Sequence, residues 1–327
     1  MSSVLERTAT APGGGLLSAV RHWFEAMPHP GVVFEVAQGF VAGAHGGRRG
    51  HLVEELAMEP LPEGAVVPSP VEDNILDAPA VQQAIGRVVE RLGVRGDTVA
   101  LLLPDQAVRV FLPQFDDFPR RAEEAVPLLR WRLRKSVPFD VEETLVSYAA
   151  QPAREKGVEV LTALARQRIV RQYEAAAADA GLVPGVVLGS TLATLPLIED
   201  TRPVLLARMA GRCLSTTITA AQRLCVFRST EMSAEASALE PQALLDEIYP
   251  AAAFYQDTWK DNLEQILLAG FAARVEEFRG PLERELGCAV KPLTASATLS
   301  SRLTAEARAL ADRQLHALAG WMMNYNA

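Results

Sequence analysis

The strongest constraint on this chain is a pattern that occurs twice. Gly31–Val36 and Gly39–Ala44 are apolar, β-branched runs parted by two residues, and His51–Met58 follows a turn at Gly46-Gly47-Arg48-Arg49-Gly50. Far downstream, Val204–Met209, Cys213–Thr219 and Arg223–Arg228 repeat the arrangement. Short runs of this kind joined by tight turns fold as antiparallel meanders. A helix and a further strand follow each one. The first meander leads through the proline-punctuated stretch Pro60–Pro70 to Ala78–Leu92, where Val81, Ile85, Val88, Val89 and Leu92 share one helical face, and then to Thr98–Leu103. The second leads to a helix over Gln242–Tyr255, a strand over Gln265–Ala269 and a helix over Val275–Leu286. The chain has 327 residues. One hydrophobic core stops growing at about 250–300 residues, so each meander with its helices predicts its own lobe.

A meander followed by helices and parallel strands, present twice, is an internal duplication of topology. It is the ribonuclease-H duplication of the superfamily that holds actin, the sugar kinases and Hsp70. The expected fold class is therefore α/β, an actin-like duplicated ribonuclease-H fold. Between the repeats lies a block without a counterpart: a strand over Ala107–Leu112, a helix over Arg120–Lys135, strands over Thr144–Ala149 and Val158–Leu164, and a helix over Arg168–Ala180 stopped by Gly181. A strand at Val183–Leu188 and a helix at Thr191–Leu197 end the first lobe. The resulting division is 1–30 as a flexible tail with a short amphipathic helix over Leu16–Met27, 31–197 as lobe I with an inserted subdomain at about 98–182, and 198–327 as lobe II. A last helix runs over Arg302–Met323, broken near Gly320.

Composition removes several functions. A formal charge of −8 gives no basic footprint for nucleic acid. No apolar run reaches the roughly 18 residues of a membrane span, and the N-terminus lacks the layout of a signal peptide, so the chain reads as cytoplasmic. Cys213, Cys225 and Cys288 show no metal-ligand spacing and read as buried thiols.

The unmatched block carries a family resemblance. Leu101-Leu102-Leu103-Pro104, Val108-Arg109-Val110-Phe111-Leu112-Pro113, and Arg130-Trp131-Arg132-Leu133-Arg134-Lys135-Ser136-Val137-Pro138-Phe139-Asp140-Val141-Glu142-Glu143 occur in the order of the PilM signature. Val160–Ala165 and Tyr173–Pro184 match the stretch that follows. The chain thus resembles PilM, the scaffold of type IV pilus assembly. The resemblance implies an actin-like fold in which a subdomain called 1C replaces the usual 1B, as in the division protein FtsA. It implies binding of the short cytoplasmic tail of the membrane protein PilN in a groove beside 1C, coupling to the assembly motor ATPase, and a place at the inner membrane. The expected partner-binding residues are Arg130, Trp131, Arg134, Pro138 and Phe139, because Arg120, Arg121, Arg130, Arg132, Arg134 and Lys135 gather cations on or beside one helix of an acidic protein. Such a patch suits an acidic partner or lipid headgroups. Self-association is a further expectation.

Actin-like ATPases hold phosphates in two hairpin loops that begin with an Asp, which orients a magnesium-bound water, and continue with small residues that let backbone N–H groups approach. The corresponding stretches here are degenerate. Glu35 replaces the first Asp, and Gln38, Gly39 and Phe40 follow it. In the second loop Arg208 and Met209 precede Gly211, and no acid remains. The adenosine segment keeps one glycine, Gly270, followed by Phe271, which is expected to crowd a base. The residues between Phe227 and Gln242 are too few for the helical subdomain 2B that closes over nucleotide in PilM relatives. A pseudo-ATPase with no cofactor is the expectation; ATP and magnesium belong to the alternative, an active ATPase switch that uses Glu35. An FtsA-like, filament-forming membrane tether is the other alternative.

No further catalytic set emerges. The Gly46–Gly50 turn lacks the Lys-Ser/Thr end of a P-loop. Glu142 and Glu143 are neighbours and do not face each other as an acid–base pair. His45 and His51 lack a third ligand, so no metal is expected.

Overall fold

The computed structural model describes residues 29–46, 55–153, 156–295 and 315–325. The expected helix over Leu16–Met27, the start of the strand expected at His51 and most of the helix expected from Arg302 lie outside these residues. The chain divides into two compact units, one holding Leu56–Ser190 with the preceding β-hairpin, the other Thr191 onward.

In the first unit β1 (Val32–Ala37), β2 (Phe40–His45) and β3 (Glu55–Pro60) form the meander. β1 is buried at every position, as a central strand covered on both faces must be. β3 alternates between exposed and buried residues, as an edge strand does. Helix α1 (Ala78–Leu92) starts where the Asp77 carboxylate accepts from the Ala80 N–H at 3.0 Å, and stops at Gly93, whose left-handed backbone returns its N–H to the Val89 carbonyl. Its Val81, Ala84, Ile85, Val88, Val89 and Leu92 enter the core. β4 (Thr98–Leu103) then lies parallel to β1.

The chain next leaves this sheet. A 3₁₀ turn at Asp105–Ala107 leads to the short strands β5 (Arg109–Phe111) and β6 (Gln114–Phe115), where the sequence pattern suggested one strand. Pro113 divides them because it has no N–H for the ladder, although its carbonyl still accepts from Val160. Helix α2 (Ala122–Leu133) and the long strands β7 (Thr144–Pro152) and β8 (Val158–Arg166) complete a separate antiparallel sheet. β8 lies at its centre, with β7 along one edge and β5 and β6 along the other. Ala125, Leu129 and Leu133 of α2 pack with Val146, Tyr148, Val160 and Leu164 beneath them. Pro127 inside α2 is exposed, so the Glu123 carbonyl that it leaves without a helical partner is within reach of water.

Helix α3 (Gln167–Asp179) returns to the main core through Ile169, Val170 and Tyr173, and the buried Tyr173 hydroxyl donates to Asn74 Oδ1 at 3.0 Å. β9 (Val183–Gly189) closes the sheet order β3-β2-β1-β4-β9, parallel to β4. The insertion is accordingly shorter than the expected 98–182. β4 and α3 belong to the main layer, and only the stretch from Asp105 to Arg166 forms the extra module.

Helix α4 (Ser190–Thr194) and a 3₁₀ turn at Leu195–Leu197 follow. The second unit repeats the plan with β10 (Val204–Ala210), β11 (Cys213–Ala220) and β12 (Arg223–Glu231). Only residues 232–240 separate this meander from helix α5 (Pro241–Trp259). β13 (Gln265–Ala269), α6 (Val275–Leu286) and β14 (Ala289–Pro292) give the order β12-β11-β10-β13-β14. β14, which sequence reading did not find, pairs parallel to β13. Helix α7 (His316–Tyr325) runs through Gly320 without a break. It seats on the Leu195–Leu197 turn, and that contact places 191–197 in the second unit although the sequence pattern assigned them to the first. Two sheets of matching order, each three antiparallel strands and two parallel ones, make this an actin-like, duplicated ribonuclease-H fold.

Candidate functional site

The extra module meets the main sheet of the first unit around a small apolar pocket, lined almost wholly by buried residues. Leu103 is the last residue of β4, and Val187, Leu188 and Gly189 are the last of β9, so the pocket lies at the carboxyl ends of parallel strands. Ligands of open α/β sheets bind at this end. Leu145 and Ser147 from β7, and Ala163 and Ala165 from β8, form the facing wall, with Val108 and Val170 closing it. Strand alternation explains the two-sided use of β7: Leu145 and Ser147 face the pocket, while Val146 and Tyr148 pack under α2. Ser147 is the single polar side chain in the lining. The buried carboxylate of Asp105 lies against Gly189, where a Cβ would meet its Oδ1 at 3.4 Å. Among the described residues β7 pairs only with β8, which leaves its outer edge as an open ladder.

None of Arg130, Trp131, Arg134, Pro138 and Phe139 lines this pocket. They gather at the C-terminal end of α2 and just beyond it. Arg130 is committed to the fold: its Nη2 donates to the Thr144 carbonyl at 2.8 Å and its Nη1 stands 3.7 Å from the Glu142 carboxylate. Trp131 is 61% exposed, with the Arg134 guanidinium 5.9 Å from its ring centre. Pro138 is exposed and Phe139 half-buried. The pocket residues escaped sequence reading because four strands contribute them. One signal was present: Thr144–Gln151 carries no charge on either face, as a strand covered on both sides requires.

The two degenerate loops lie one in each unit. In the first, Glu35 is buried mid-strand opposite Ala42, and Gln38 and Gly39 form the exposed turn. In the second, Gly211 and Arg212 form the turn between β10 and β11, and Arg208 is buried, with Nη1 donating to Thr191 Oγ1 at 3.3 Å. Near this guanidinium His316 is buried, and burial together with the Arg208 charge pulls its pKa down to about 3. Gly270 has φ +83°, and a Cβ there would stand 2.0 Å from the Met209 carbonyl oxygen, so the left-handed backbone and the close approach to β10 both require glycine. Phe271 does not project as expected. Its ring is buried against Phe278 at 4.9 Å between centroids, because the core of the second unit takes it in.

The three cysteines are buried and outside any disulfide, and burial, with Glu283 and Glu264 nearby, pushes the Cys288 thiol up to about 11. Among the described residues no group of three or more His, Cys, Asp or Glu could hold a metal ion, and no helix is long and apolar enough to cross a membrane.

Fold and pocket together define an actin-like α/β protein whose first lobe carries an inserted sheet. Residues 40–198 match the family described as type IV pilus assembly protein PilM. That stretch, just under half of the chain, is similar to PilM. The fold of the chain is similar to a solved PilM-PilN type IV pilus biogenesis complex, at 21% identity over 90% of this chain and 98% of that one, with a TM-score of 0.72. It is more distantly similar to the cytoplasmic domain of EpsL, an inner-membrane component of the type II secretion system of Vibrio cholerae, at 10% identity over 73% of this chain and 81% of that one, TM-score 0.47. A Bacteroides thetaiotaomicron protein with an actin-like ATPase fold and unknown function is 10% identical over 91% of this chain and 97% of that one, TM-score 0.46. No curated protein matches the chain by sequence.

Proposed function

We propose that this PilM-like protein is a non-catalytic scaffold of a type IV pilus, or of a related type II secretion platform, peripheral to the cytoplasmic face of the inner membrane. It holds the short cytoplasmic tail of a PilN-like membrane protein and links it to the assembly motor. The pocket at the carboxyl ends of β4 and β9 carries this reading. Its apolar walls suit one small apolar side chain of a bound peptide, and the open edge of β7 offers main-chain partners to the peptide backbone. A synthetic tail peptide of a PilN-like protein is expected to bind in titration calorimetry. Ala163→Trp, which fills the pocket from the facing wall, is expected to weaken binding on the order of tenfold or more. Unchanged affinity in a folded variant would place the peptide elsewhere and overturn the reading.

The lack of catalysis rests on the loops. A buried guanidinium at Arg208 cannot orient a magnesium-bound water as a carboxylate does, and Gln38 and Phe40 add side chains where phosphate oxygens need bare backbone. The loop from β12 to α5 holds only residues 232–240, too few for a helical lid. Magnesium–ATP titrated into the protein is therefore expected to give no binding heat at about millimolar nucleotide, where even a binding energy of roughly 4 kcal/mol would register. Micromolar binding would restore the nucleotide switch.

A further inference from the structure

Two exposed surfaces take no part in the pocket or in the degenerate loops. The first is the exposed C-terminal end of α2 with the turn that follows it, where Pro127, Trp131 and Arg132 of the helix stand beside Arg134 and Lys135 of the turn. Among the described residues Arg132, Arg134 and Lys135 form no ion pair. Arg130, by contrast, is occupied by Glu142 and the Thr144 carbonyl. The face thus presents three uncompensated cations around one exposed indole, on a chain whose net charge is −8.

The second surface is on α5. Leu244, Leu245, Ile248, Ala251, Ala252 and Tyr255 take the buried side of this helix. Its outer side holds Asp246, Pro250, Ala253 and Asp257, flanked by Tyr249 at 52% and Phe254 at 57% exposure. Two exposed aromatics on the outer side of one helix give it apolar area that a partner can cover. Asp257 forms no ion pair among the described residues, and Asp246 meets only the Gln242 amide at 2.7 Å.

The two faces complement each other. One offers guanidinium groups around a Trp; the other offers carboxylates between aromatic rings. Arginine and tryptophan are the side chains that anchor interfaces best, and guanidinium groups bind both carboxylates and aromatic faces. An anionic membrane would suit the α2 face alone, because Asp246 and Asp257 repel such a surface. A second copy of the chain satisfies both faces at once.

We infer that the protein self-associates head to tail, the α2 face of one copy docking on the α5 face of the next. Different surfaces are used on the two copies, so each bound pair leaves one free face of each kind.

The test is sedimentation equilibrium of the full chain at low salt, repeated at high salt. The wild type is expected to exceed the monomer mass at low salt and to return to it as salt screens the contact. Arg132→Glu/Arg134→Glu and Asp246→Lys/Asp257→Lys, all on exposed positions, are each expected to weaken association on the order of tenfold or more. Mixing these two reversed variants supplies the decisive arm. Each keeps one native face, and the reversed α2 face of the first is opposite in charge to the reversed α5 face of the second, so the mixture is expected to associate where neither variant does alone. A monomeric wild type, or a mixture that forms no pair, overturns the inference. So does loss of binding to vesicles of anionic lipid by Arg132→Glu/Arg134→Glu with self-association unchanged, which would assign the α2 face to the membrane.

Discussion

Replacing Gly320 by alanine is expected to destabilise the second unit by about 3 kcal/mol, near the upper end of overpacking costs. A Cβ at this position would stand 2.1 Å from the Ala193 carbonyl oxygen and 2.9 Å from Thr194 Cα, and both are backbone atoms that cannot rotate away. To relieve the clash α7 must lift from the 193–197 segment. Leu318, Trp321 and Met322 on the same helix are wholly buried, so lifting it opens a gap beneath large side chains. The intrinsic preference of helices for alanine over glycine acts in the opposite direction by about 1 kcal/mol, and the clash outweighs it. Gly86 in α1 is the internal control, since a Cβ there meets nothing within 4 Å. Gly86→Ala is expected to leave stability unchanged or raise it by up to about 1 kcal/mol. Denaturant midpoints of the two variants, measured side by side, decide the matter. Equal midpoints would mean that α7 is not held against 193–197 in solution.

The second large effect is a dependence on pH. His316 has its pKa pulled from the ordinary 6.5 to about 3, first by burial and then by the Arg208 charge. Its Nδ1 has no hydrogen-bond partner that would favour a second proton. The folded-state pKa lies below the unfolded one, so the unfolded chain binds the proton more readily between them. The stability that neutral His316 permits is therefore complete above about pH 6.5 and is lost as pH falls toward 3. Each pH unit well inside that window costs about 1.4 kcal/mol, so lowering pH from about 7 to 5 is expected to remove roughly 2 kcal/mol. Other titrating groups are common to wild type and variant and cancel in the comparison. The measurement is thus the difference in slope between wild type and His316→Gln, followed by chemical denaturation across pH 5 to 7. A flatter slope in the variant is the expected outcome; identical slopes would mean that His316 is not buried neutral.

Much of this fold could be read from local pattern. Ala78–Leu92 carries its cap, its apolar stripe and its glycine stop in fifteen consecutive residues, and the structure keeps those bounds. The two meanders announce themselves through β-branched runs and tight turns. What escaped was set by distant partners. Ala289–Pro292 has no strand signal of its own and becomes β14 because β13 presents an unpaired parallel edge. Phe271 looks poised over an adenosine site in sequence, yet Phe278, one helical stretch later, draws it into the core. Trp131 and Arg134 were visible as a patch because they lie close along one helix. The pocket was not, since Leu103, Leu145, Ala163 and Gly189 come together only when the extra module folds back on the main sheet. Clusters within one element are legible in sequence, and sites assembled from several strands are not.

The seat of α7 also has a consequence for the order in which the chain acquires its structure. Residues 191–197 follow directly on β9, but their packing partner arrives more than a hundred residues later, at Gly320. The strands and helices of the first unit close through shorter chain separations and need nothing from that distant segment. Contacts that span long stretches of sequence form slowly, because the loop entropy is lost before any contact energy is gained. Refolding should therefore show two phases. The first unit would become protected from hydrogen exchange early, and 191–197 would remain open until α7 docks and completes its own half of the molecule.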